Sequence, residues 1–504
     1  MRRWIPSNEE MQPMEILNKL YRHSLTLLTD LYELTMAYGY WKLGMADKEV
    51  AFHLTFRQNP FKGGYAVACG LSQVIDYLQN FRFDDEDIAY LGTIPGNDGR
   101  PIFDNAFLQY LKGLTLTFNL DALPEGTVVF PQEPLVRVTG PLLQCQILES
   151  ALLNMINFQT LVATKAARIC LAAEGDPVME FGLRRAQGID GGVSASRAAF
   201  VGGCSGTSNV LAGKLYDIPV KGTHAHSWVM VFDDELQAFR DYAKAMPNNC
   251  IFLVDTYDTL QGVRHAVAAA KELREAGHEM VGIRIDSGDL AYLSTEAQKI
   301  LEEAGFGDKS IVGSSDLDEH VIHSIKVQDA PISSWGVGTR LATAYDDPAL
   351  GGVYKLTAVR NKDGRWDYKV KLSEQLIKVT TPGVLQVRRY RRNSDFKADA
   401  IYDVQLGVEE PCTIVDPLNP TRLIRVTAGT PHEDLLIPIF NGGRLIYDVP
   451  SSREARQRCL DQLERLHPAI RRLLNPHEYP AGIEMRLHDL RTDLIRAARE
   501  AAGK

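Results

Sequence analysis

The feature that most constrains the fold is a series of short apolar runs between residues 177 and 359, each ending in a polar, glycine-bearing turn. Helix-like stretches separate several of these runs, and strands that alternate with helices are typical of parallel βαβ units. The number of units predicts a closed or nearly closed (β/α) barrel. The strand ends are predicted at 180–181, 220–223, 252–256, 283–285, 311–313, 337–339 and 356–359, and the clearest helices at 260–276, 290–304 and 316–325.

The N-terminal region follows a different pattern. With 504 residues the chain exceeds what one hydrophobic core usually organises, so we expect two or three domains. Residues 1–150 are expected to form a mixed α/β domain, in which a helical opening is followed by a strand and then by a β-hairpin. These elements are predicted at 24–43, 49–57 and 127–139. Residues 151–360 then form the barrel.

Residues 361–504 are expected to supply C-terminal segments that return to the N-terminal domain. Strand-like pieces occur at 383–390 and 413–415. Two amphipathic helices follow at 452–474 and 484–502, with leucine and isoleucine at helical spacing. We expect these helices to pack against the rest of the protein.

Charge and composition argue against several classes of protein. The formal net charge of -9 argues against a nucleic-acid-binding face, and the one basic run, 388–392, has the alternation of a solvated strand or loop. Residues 1–14 contain Glu9 and Glu10 where a signal peptide needs an apolar core. No apolar run reaches transmembrane length. The seven cysteines include no CxxC pair, which indicates reduced thiols in a cytoplasm.

Polar segments occur where the barrel strands are predicted to end. In (β/α) barrels the active site lies at that end of the strands. A single such segment is unremarkable, but seven on one rim predict a functional site. They are FGLRRAQG (181–188), GGCSGTSN (202–209), GTHAHS (222–227), DTYDT (255–259), RIDSGD (284–289), GSSD (313–316) and GVGT (336–339).

Two of these segments are candidate anion sites. In GVGT the glycines let backbone N–H groups approach a phosphate, and the hydroxyl of Thr339 adds a donor. GGCSGTSN could do the same, although such residues also form ordinary turns and helix caps. Arg184 and Arg185 offer bidentate donors to an anion, or else form surface salt bridges. Arg284 stands inside an apolar strand and needs an anion, or the neighbouring Asp286, as its partner.

Four aspartates on the rim, Asp255, Asp258, Asp286 and Asp289, could bind magnesium or ribose hydroxyls, as hard oxygen ligands do. Their spacing does not choose between these roles, and helix capping is the alternative for one or two of them.

His224 and His226 form an H-x-H pair whose side chains face the same way on an extended strand. The pair could bind a metal, which would indicate a metal-dependent barrel hydrolase. Otherwise one histidine is a nucleophile or general base and the other packs. A metal site needs further histidines at other strand ends, and the predicted rim contains none.

Taken together, the segments resemble the nicotinate phosphoribosyltransferase family. Long motifs in the right order are far more specific than a lone glycine signature. NPHEYPAGIEMRL (475–487) also resembles the family's late YPV segment, with alanine in place of valine. The other matching stretches are LLTDLYELTMAYGYWK (27–42), FRQNPFKGGYAVACGL (56–71), FGLRRAQGIDGGVSASRAAFVGGCSGTSNVLAG (181–213), GTHAHSWV (222–229), RIDSGDL (284–290) and GVGTRLATAYDDPALGGVYKL (336–356).

The resemblance implies an irregular (β/α) barrel of the type II phosphoribosyltransferase kind in a cytoplasmic homodimer with a shared active site. It implies an ATP-dependent ligase of the Preiss-Handler route of NAD biosynthesis. Nicotinate and phosphoribosyl pyrophosphate would give nicotinate mononucleotide and pyrophosphate, with ATP as co-substrate and Mg²⁺ as cofactor. The family's phosphorylated histidine lies in a GT-x-AH segment, which implies a phosphohistidine at His226 and gives His224, at the variable position, no role.

The resemblance also implies a role for each candidate site residue. Aromatic rings would sandwich the pyridine ring, and the catalytic group would stabilise the positive charge that develops on the ribose. The residues are, for nicotinate, Tyr32 of the partner subunit, Phe181, Arg184, Thr223 and Arg284; for phosphoribosyl pyrophosphate, Asp258, Gly338, Thr339, Arg57 and Lys62; and for catalysis, His226 and Asp286, with Asp258 and Asp286 also near magnesium.

Two kinds of alternative remain. Sister phosphoribosyltransferases use nicotinamide or quinolinate, but GTHAHS and DLYELTMAYGY resemble the nicotinate enzyme more closely. A non-catalytic ligand-binding paralogue is the other alternative. The intact set of His226, Arg284, Asp286 and Thr339 argues against it, because a silent relative is expected to have lost some of these side chains.

Overall fold

The computed structural model describes residues 24–501 and residue 503, so the prediction for residues 1–14 lies outside the described residues. The helices are α1 (Leu31–Lys42), α2 (Leu71–Gln79), α3 (Asp85–Leu91), α4 (Asn105–Lys112), α5 (Leu142–Gln146), α6 (Glu149–Ala172), α7 (Ile189–Val201), α8 (Val210–Tyr216), α9 (His226–Met230), α10 (Glu235–Ala245), α11 (Thr259–Glu275), α12 (Leu290–Glu303), α13 (Glu319–Val327), α14 (Thr339–Ala342), α15 (Ser452–Arg465), α16 (Pro468–Arg471) and α17 (Met485–Ala501), with 3₁₀ turns at Pro60–Lys62, Leu183–Arg185 and Leu376–Lys378.

The strands form three larger sheets and one two-stranded sheet, β2 with β4. The strands are β1 (Glu49–Phe56), β2 (Ala66–Val67), β3 (Asn119–Ala122), β4 (Val128–Val129), β5 (Val136–Pro141), β6 (Val178–Glu180), β7 (Gly206–Thr207), β8 (Ile251–Leu253), β9 (Gly282–Ile285), β10 (Ser310–Ser315), β11 (Ser334–Val337), β12 (Gly352–Arg360), β13 (Trp366–Tyr368), β14 (Leu385–Arg392), β15 (Asp395–Asp403), β16 (Cys412–Val415), β17 (Leu423–Val426), β18 (His432–Asp434), β19 (Ile437–Asn441), β20 (Arg444–Leu445) and β21 (Ala481–Glu484).

A parallel sheet in the order β7-β6-β11-β10-β9-β8 carries the polar rim. Helices α11, α12 and α13 follow β8, β9 and β10, close to the predicted bounds. The strand predicted to end at 220–223 is reduced to a single parallel bridge between Thr207 and Val220. None of the described strands joins Val220 to β8, so these two edges of the sheet are not paired. The sheet is therefore an incomplete barrel, which confirms the predicted irregular (β/α) barrel.

A seven-stranded sheet in the order β13-β12-β1-β5-β3-β19-β20 forms the centre of the N-terminal domain. The strand predicted to end at 356–359, as the last strand of the barrel, was wrongly assigned, because β12 belongs to this sheet and pairs antiparallel with β1. A parallel strand needs a long, usually helical crossover, and α14, the helix before β12, has only four residues. Strands β19 and β20 confirm that C-terminal segments return to the N-terminal domain.

The β-hairpin predicted at 127–139 is wrong. Strand β4 pairs with β2, whereas β5 pairs with β1 and β3 in the seven-stranded sheet. Pro131 and Pro134 lie between the two strands and have no N–H to donate to a hairpin ladder. The chain therefore crosses from one sheet to another at this point.

A third sheet, in the order β17-β16-β21-β15-β14-β18, contains the basic run at 388–392. The interpretation of this run as a solvated face is wrong for Arg389, which is 0% exposed. Its Nη2 donates to Asp399 Oδ2 at 2.6 Å and to the carbonyl oxygen of Val128 at 2.8 Å. Because β14 is an inner strand, alternate side chains point into the protein, and this one needs a carboxylate there.

Helix boundaries differ from the predicted ones where the backbone chemistry requires it. The helix predicted at 452–474 ends at Arg465, and a new turn begins at Pro468, because proline cannot continue a helix. The opening predicted at 24–43 becomes helical only at Leu31, after Asp30 in an extended conformation. No helix in the described chain combines the length and apolarity needed to cross a bilayer.

Candidate functional site

Charged and hydroxyl side chains converge where β8, β9 and β10 end. Parallel pairing places Leu253 of β8 beside Arg284 of β9, and Arg284 beside Val312 of β10. Residues that follow each strand therefore meet at one edge of the sheet. The structure brings together Asp255, Arg284, Asp286 and Ser314 in this way, as the strand ends predicted.

Arg284 organises the cluster through all three of its guanidinium nitrogens. Its Nε donates to Ser314 Oγ at 2.7 Å, its Nη1 to Thr223 Oγ1 at 3.2 Å and its Nη2 to Asp286 Oδ1 at 2.6 Å. The hydroxyl of Ser314 in turn donates to Asp286 Oδ1. Burial alone would raise the pKa of Asp286, but the Ser314 hydroxyl and the Arg284 guanidinium lower it. Asp286 therefore carries a negative charge at neutral pH.

His226 lies at the start of α9, beside two carboxylates. Its Nδ1 is 3.1 Å from Thr256 Oγ1, and its Nε2 is 3.8 Å from Asp286 Oδ2 and 4.0 Å from Asp255 Oδ1. The side chain of His226 is 38% exposed, whereas that of Asp255 is 1% exposed. An imidazole with this exposure can be reached by a substrate.

Asp255 is held by the chain that follows β9. Its Oδ2 accepts hydrogen bonds from the backbone N–H of Asp286 at 3.0 Å and from Ser287 Oγ at 2.6 Å. Its buried Oδ1 has no hydrogen-bond partner within residues 24–501. Since buried polar atoms are normally satisfied, this oxygen is available to a group that enters the site beside His226.

His224 has a structural place that separates it from His226. Its ring is 7% exposed, packs edge-on to Tyr242 with the ring centroids 4.7 Å apart, and accepts a hydrogen bond at Nε2 from the Leu253 N–H at 3.1 Å. Burial lowers the pKa of His224, so the ring is neutral. The Leu253 N–H occupies Nε2 and the carbonyl oxygen of Ala225 lies 3.3 Å from Nδ1, so neither ring nitrogen of His224 is open to a metal and the pair is not a two-histidine metal site.

Phe181, directly after β6, forms an apolar wall beside Arg284. The Arg284 Cζ is 5.7 Å from the centroid of its ring. Gly336 makes room for the ring, since a Cβ at this residue would lie 2.7 Å from Cδ2 and Cε2 of Phe181. Gly338 adjoins the Phe181 backbone and precedes α14, and no side chain caps the first turn of that helix, which begins with Thr339.

Three of the predicted rim residues lie outside this cluster. Arg184 is exposed on the turn after Phe181 and pairs with no described residue. Asp258 uses its Oδ1 to cap α11 through the Gln261 N–H at 2.8 Å. Asp289 caps α12 in the same way, which confirms helix capping for two of the four aspartates. Ser314 and Thr256 were missed as single residues, because an isolated hydroxyl carries no pattern.

The N-terminal candidates lie on the other domain. Arg57 lines a cavity together with Lys355, Lys371 and Lys378, which have no sequence pattern and were also missed. Lys62 is exposed on the Pro60–Lys62 turn. Tyr32, on α1, is 45% exposed. Partial burial and the nearby carboxylate of Glu149 raise the pKa of Tyr32 to about 12, so its hydroxyl is protonated.

Comparison with known proteins gives consistent matches over most of the chain. The family descriptions that match are the nicotinate phosphoribosyltransferase (NAPRTase) N-terminal domain at residues 27–157, the NAPRTase family at 177–368 and the nicotinate phosphoribosyltransferase C-terminal domain at 386–491. The chain is 43% identical to nicotinate phosphoribosyltransferase of Bacillus subtilis strain 168, over 91% of this chain and 93% of the relative. It is 34% identical to the Homo sapiens enzyme of the same name, over 92% and 95%.

Two solved structures are also similar. Human nicotinic acid phosphoribosyltransferase superposes with a TM-score of 0.80 at 32% identity, covering 92% of this chain and 99% of that one. Nicotinate-nucleotide pyrophosphorylase from Pyrococcus furiosus has a TM-score of 0.65 at 23% identity, with the same coverage. The second likeness concerns the fold alone.

Proposed function

Because the chain belongs to the nicotinate phosphoribosyltransferase family, we propose that it forms nicotinate mononucleotide and pyrophosphate from nicotinate and phosphoribosyl pyrophosphate, and that ATP drives this reaction through a phosphohistidine at His226. The observation that carries the proposal is the cluster of Arg284, Asp286 and His226 beside Phe181. We place the enzyme in the Preiss-Handler route of NAD biosynthesis and in the cytoplasm, where its seven free cysteines stay reduced.

The nicotinate subsite is formed by Arg284, Thr223 and Phe181. A guanidinium has five N–H donors, and Arg284 uses three of them within the protein, so two remain for the nicotinate carboxylate. The Phe181 ring stacks on one face of the pyridine ring, and Tyr32 of the partner subunit stacks on the other. Arg184, on the turn that follows Phe181, would add a second positive charge when the ligand is bound.

The phosphoribosyl pyrophosphate subsite extends from the cluster in two directions. The uncapped first turn of α14, at Gly338 and Thr339, donates to the 5-phosphate, and Asp258 bonds to the ribose. Arg57 and Lys62 bind the diphosphate, with the basic residues that line the Arg57 cavity. As the diphosphate leaves, the ribose gains positive charge, and the ionised Asp286 stabilises it.

Magnesium fits the oxygen atoms of this site. Asp286 Oδ2 and the unpartnered Asp255 Oδ1 are hard carboxylate ligands, and Asp258 lies in the same loop as Asp255. When bound, the ion would neutralise charge on the diphosphate. No group of three or more His, Cys, Asp or Glu residues in the described chain is arranged to hold a metal alone, so we propose that substrate oxygens complete the coordination.

His226 acts as the nucleophile in the ATP-coupled step. A ring nitrogen attacks the γ-phosphorus of ATP, the bond from that phosphorus to the bridging oxygen breaks, and ADP leaves. The attacking nitrogen is the unprotonated one, and the ring proton stays on the other nitrogen during the transfer. The phosphorylated ring carries about two negative charges next to these carboxylates. The loop that contains His226 must then rearrange, which couples hydrolysis of the phosphohistidine to substrate binding and release.

The active site is shared between two subunits. Exposed apolar side chains occur both around α1 and around the start of the barrel, and such surfaces mark interfaces. They include Leu28, Leu31, Tyr32 and Met36 in the first group and Leu183, Ile189, Val210 and Leu211 in the second. We propose that α1 of one subunit covers the barrel mouth of the other.

A complementation experiment tests the shared site. Tyr32→Ala and Arg284→Ala subunits should each be weakly active alone, because every site in either homodimer lacks one contact. Co-expression with different tags should restore about a quarter of the wild-type activity, since half of the dimers are mixed and each contains one intact site. Mixed dimers purified through both tags that gain no activity would contradict the shared site.

A second variant tests the stacking wall. Gly336→Ala should raise the KM for nicotinate roughly 3- to 10-fold, because the new methyl group displaces the Phe181 ring and weakens its stacking on the pyridine. The KM for phosphoribosyl pyrophosphate should change little. Gly113→Ala is the control, since a Cβ at that residue meets only ordinary contacts. An unaltered KM for nicotinate in Gly336→Ala would remove Phe181 from the subsite.

The activity itself is tested with purified protein, nicotinate, phosphoribosyl pyrophosphate and magnesium, with and without ATP. We expect nicotinate mononucleotide and pyrophosphate in both reactions, with faster formation and ADP release when ATP is present. Nicotinamide and quinolinate, run in parallel, should react poorly. Comparable kcat/KM for nicotinamide would overturn the acid selectivity, and no product with any of the three would favour a binding protein.

A further inference from the structure

A buried cluster of alternating charges lies between the barrel and the N-terminal domain. The Lys165 side chain, on α6, is 0% exposed, and its Nζ pairs with Glu319 Oε2 at 2.7 Å and with Asp346 Oδ2 at 2.5 Å. Arg168 pairs with Glu319 Oε1 at 2.8 Å. The Lys165 charge lowers the pKa of both carboxyl groups against the opposing effect of burial. Both carboxyl groups are therefore ionised at neutral pH.

One side of this cluster supports the loop that carries Arg57 and Lys62. The Lys165 Nζ is 4.9 Å from the centroid of the Phe61 ring, and the Phe61 N–H donates to Asp347 Oδ2 at 3.2 Å. Phe61 and Lys62 have φ angles of 58° and 50°. Left-handed backbone is unfavourable for such residues and persists only where the surroundings enforce it. The contacts of Phe61 therefore help to hold the turn.

The other side of the cluster reaches the helix assigned to the 5-phosphate. Arg340, which directly follows Thr339, pairs with Asp318 at 2.9 Å and lies 3.9 Å from Asp346. Asp346 thus lies between Lys165 and Arg340. Its neighbour Asp347 binds the Phe61 amide. Two adjacent aspartates therefore connect the turn at Pro60–Lys62 with the start of α14.

We propose that Lys165 and Asp346 are positioning residues that hold the diphosphate-binding turn and the 5-phosphate helix at a fixed separation, so that both ends of phosphoribosyl pyrophosphate are gripped by preorganised groups. This inference rests on the proposed function. An apolar core could hold the two segments together as firmly, because buried ion pairs add little net stability. A set of directional charge contacts fixes their relative placement as well, and small misplacements of binding groups are costly for catalysis.

Asp346→Asn tests the connection without disrupting the fold. Lys165 keeps Glu319 as its partner, and the side chain of Asp346 is 41% exposed, so the variant leaves no isolated buried charge. The KM for phosphoribosyl pyrophosphate should rise about tenfold, while the KM for nicotinate stays within about twofold of wild type. Asp346→Glu should recover much of the loss. Asp308→Asn, which removes an exposed carboxylate paired with Lys309, is the matched control.

Hydrogen exchange provides a readout that does not depend on the reaction. The peptide that covers residues 57–64 should exchange faster in Asp346→Asn than in wild type and in Asp308→Asn. If wild type makes no mononucleotide, the proposed function fails while the exchange result still tests the connection. Unchanged exchange together with an unchanged KM for phosphoribosyl pyrophosphate would overturn the inference. Equal rises in both KM values with a lowered Tm would also overturn it, since these indicate general destabilisation.

Discussion

Replacing Arg284 with alanine is expected to lower kcat/KM for nicotinate about 100-fold, mainly through KM. The substrate carboxylate loses a charge-assisted contact worth roughly 1.5–3 kcal/mol, and a factor of 100 corresponds to about 2.7 kcal/mol. The discrimination between nicotinate and nicotinamide should fall at the same time, because the uncharged amide gains little from the guanidinium. Steady-state kinetics with both substrates measures the two effects.

Arg284→Lys is the informative companion to this variant. Lysine keeps the charge but cannot reproduce the fork that contacts Ser314, Thr223 and Asp286 together. We therefore expect kcat/KM for nicotinate in the lysine variant to stay below a tenth of the wild-type value. The Tm should be close to that of wild type. A nicotinate KM that is unchanged in Arg284→Ala would exclude this side chain from the pocket.

Replacing His226 with alanine is expected to abolish the stimulation by ATP and to leave slow, ATP-independent transfer. Asp286, which we propose stabilises the transition state, and Arg284, the proposed carboxylate ligand, remain in place, whereas the proposed nucleophile for the γ-phosphoryl group is gone. The measurement is the rate of mononucleotide formation with and without ATP, together with ADP release. Mass spectrometry under turnover should find an acid-labile phosphate on the peptide that contains residue 226 in wild type and none in the variant.

The neighbouring histidine provides the control. His224→Gln keeps an acceptor for the Leu253 N–H and removes only a buried ring, so it should retain both the labile phosphate and the response to ATP. Stimulation by ATP that persists in His226→Ala, or a labile phosphate that is lost in His224→Gln but present in His226→Ala, would refute the assignment.

The convergence of the site could be predicted because it follows from topology. Parallel strands deliver the residues after their carboxyl ends to one edge, so Asp255, Arg284 and Asp286 had to lie together once alternating strands and helices were recognised. The sequence also predicted that Arg284, which lies inside an apolar strand, needs an anionic partner. Asp286 two residues later supplied that partner, as the structure confirms.

The features that could not be predicted depend on which segments meet across long stretches of chain. His224 packs against Tyr242 of α10. No local sequence pattern distinguishes a histidine packed in this way from one that binds a metal. Strand β12 has an apolar pattern that suits either sheet, and its pairing with β1 is decided by tertiary contacts. The sequence around Arg389 is typical of a solvated basic run. Its buried partners, Asp399 and the Val128 carbonyl, are known only from the structure.

The gap in the barrel between Val220 and β8 has a mechanical consequence. A segment hydrogen-bonded along a full ladder shifts only if many bonds break together. The stretch that leads to His226 has only one backbone bridge to the sheet, at Val220, and its further bonds to the strands run through the side chains of Thr223 and His224. If His226 is phosphorylated as proposed, the added charge has to break only these few contacts, and not a whole ladder, to displace the loop. Strand β9, which bears Arg284 and ends directly before Asp286, is held in its ladders on both sides, so the proposed change of charge at His226 would move one segment relative to a rigid frame.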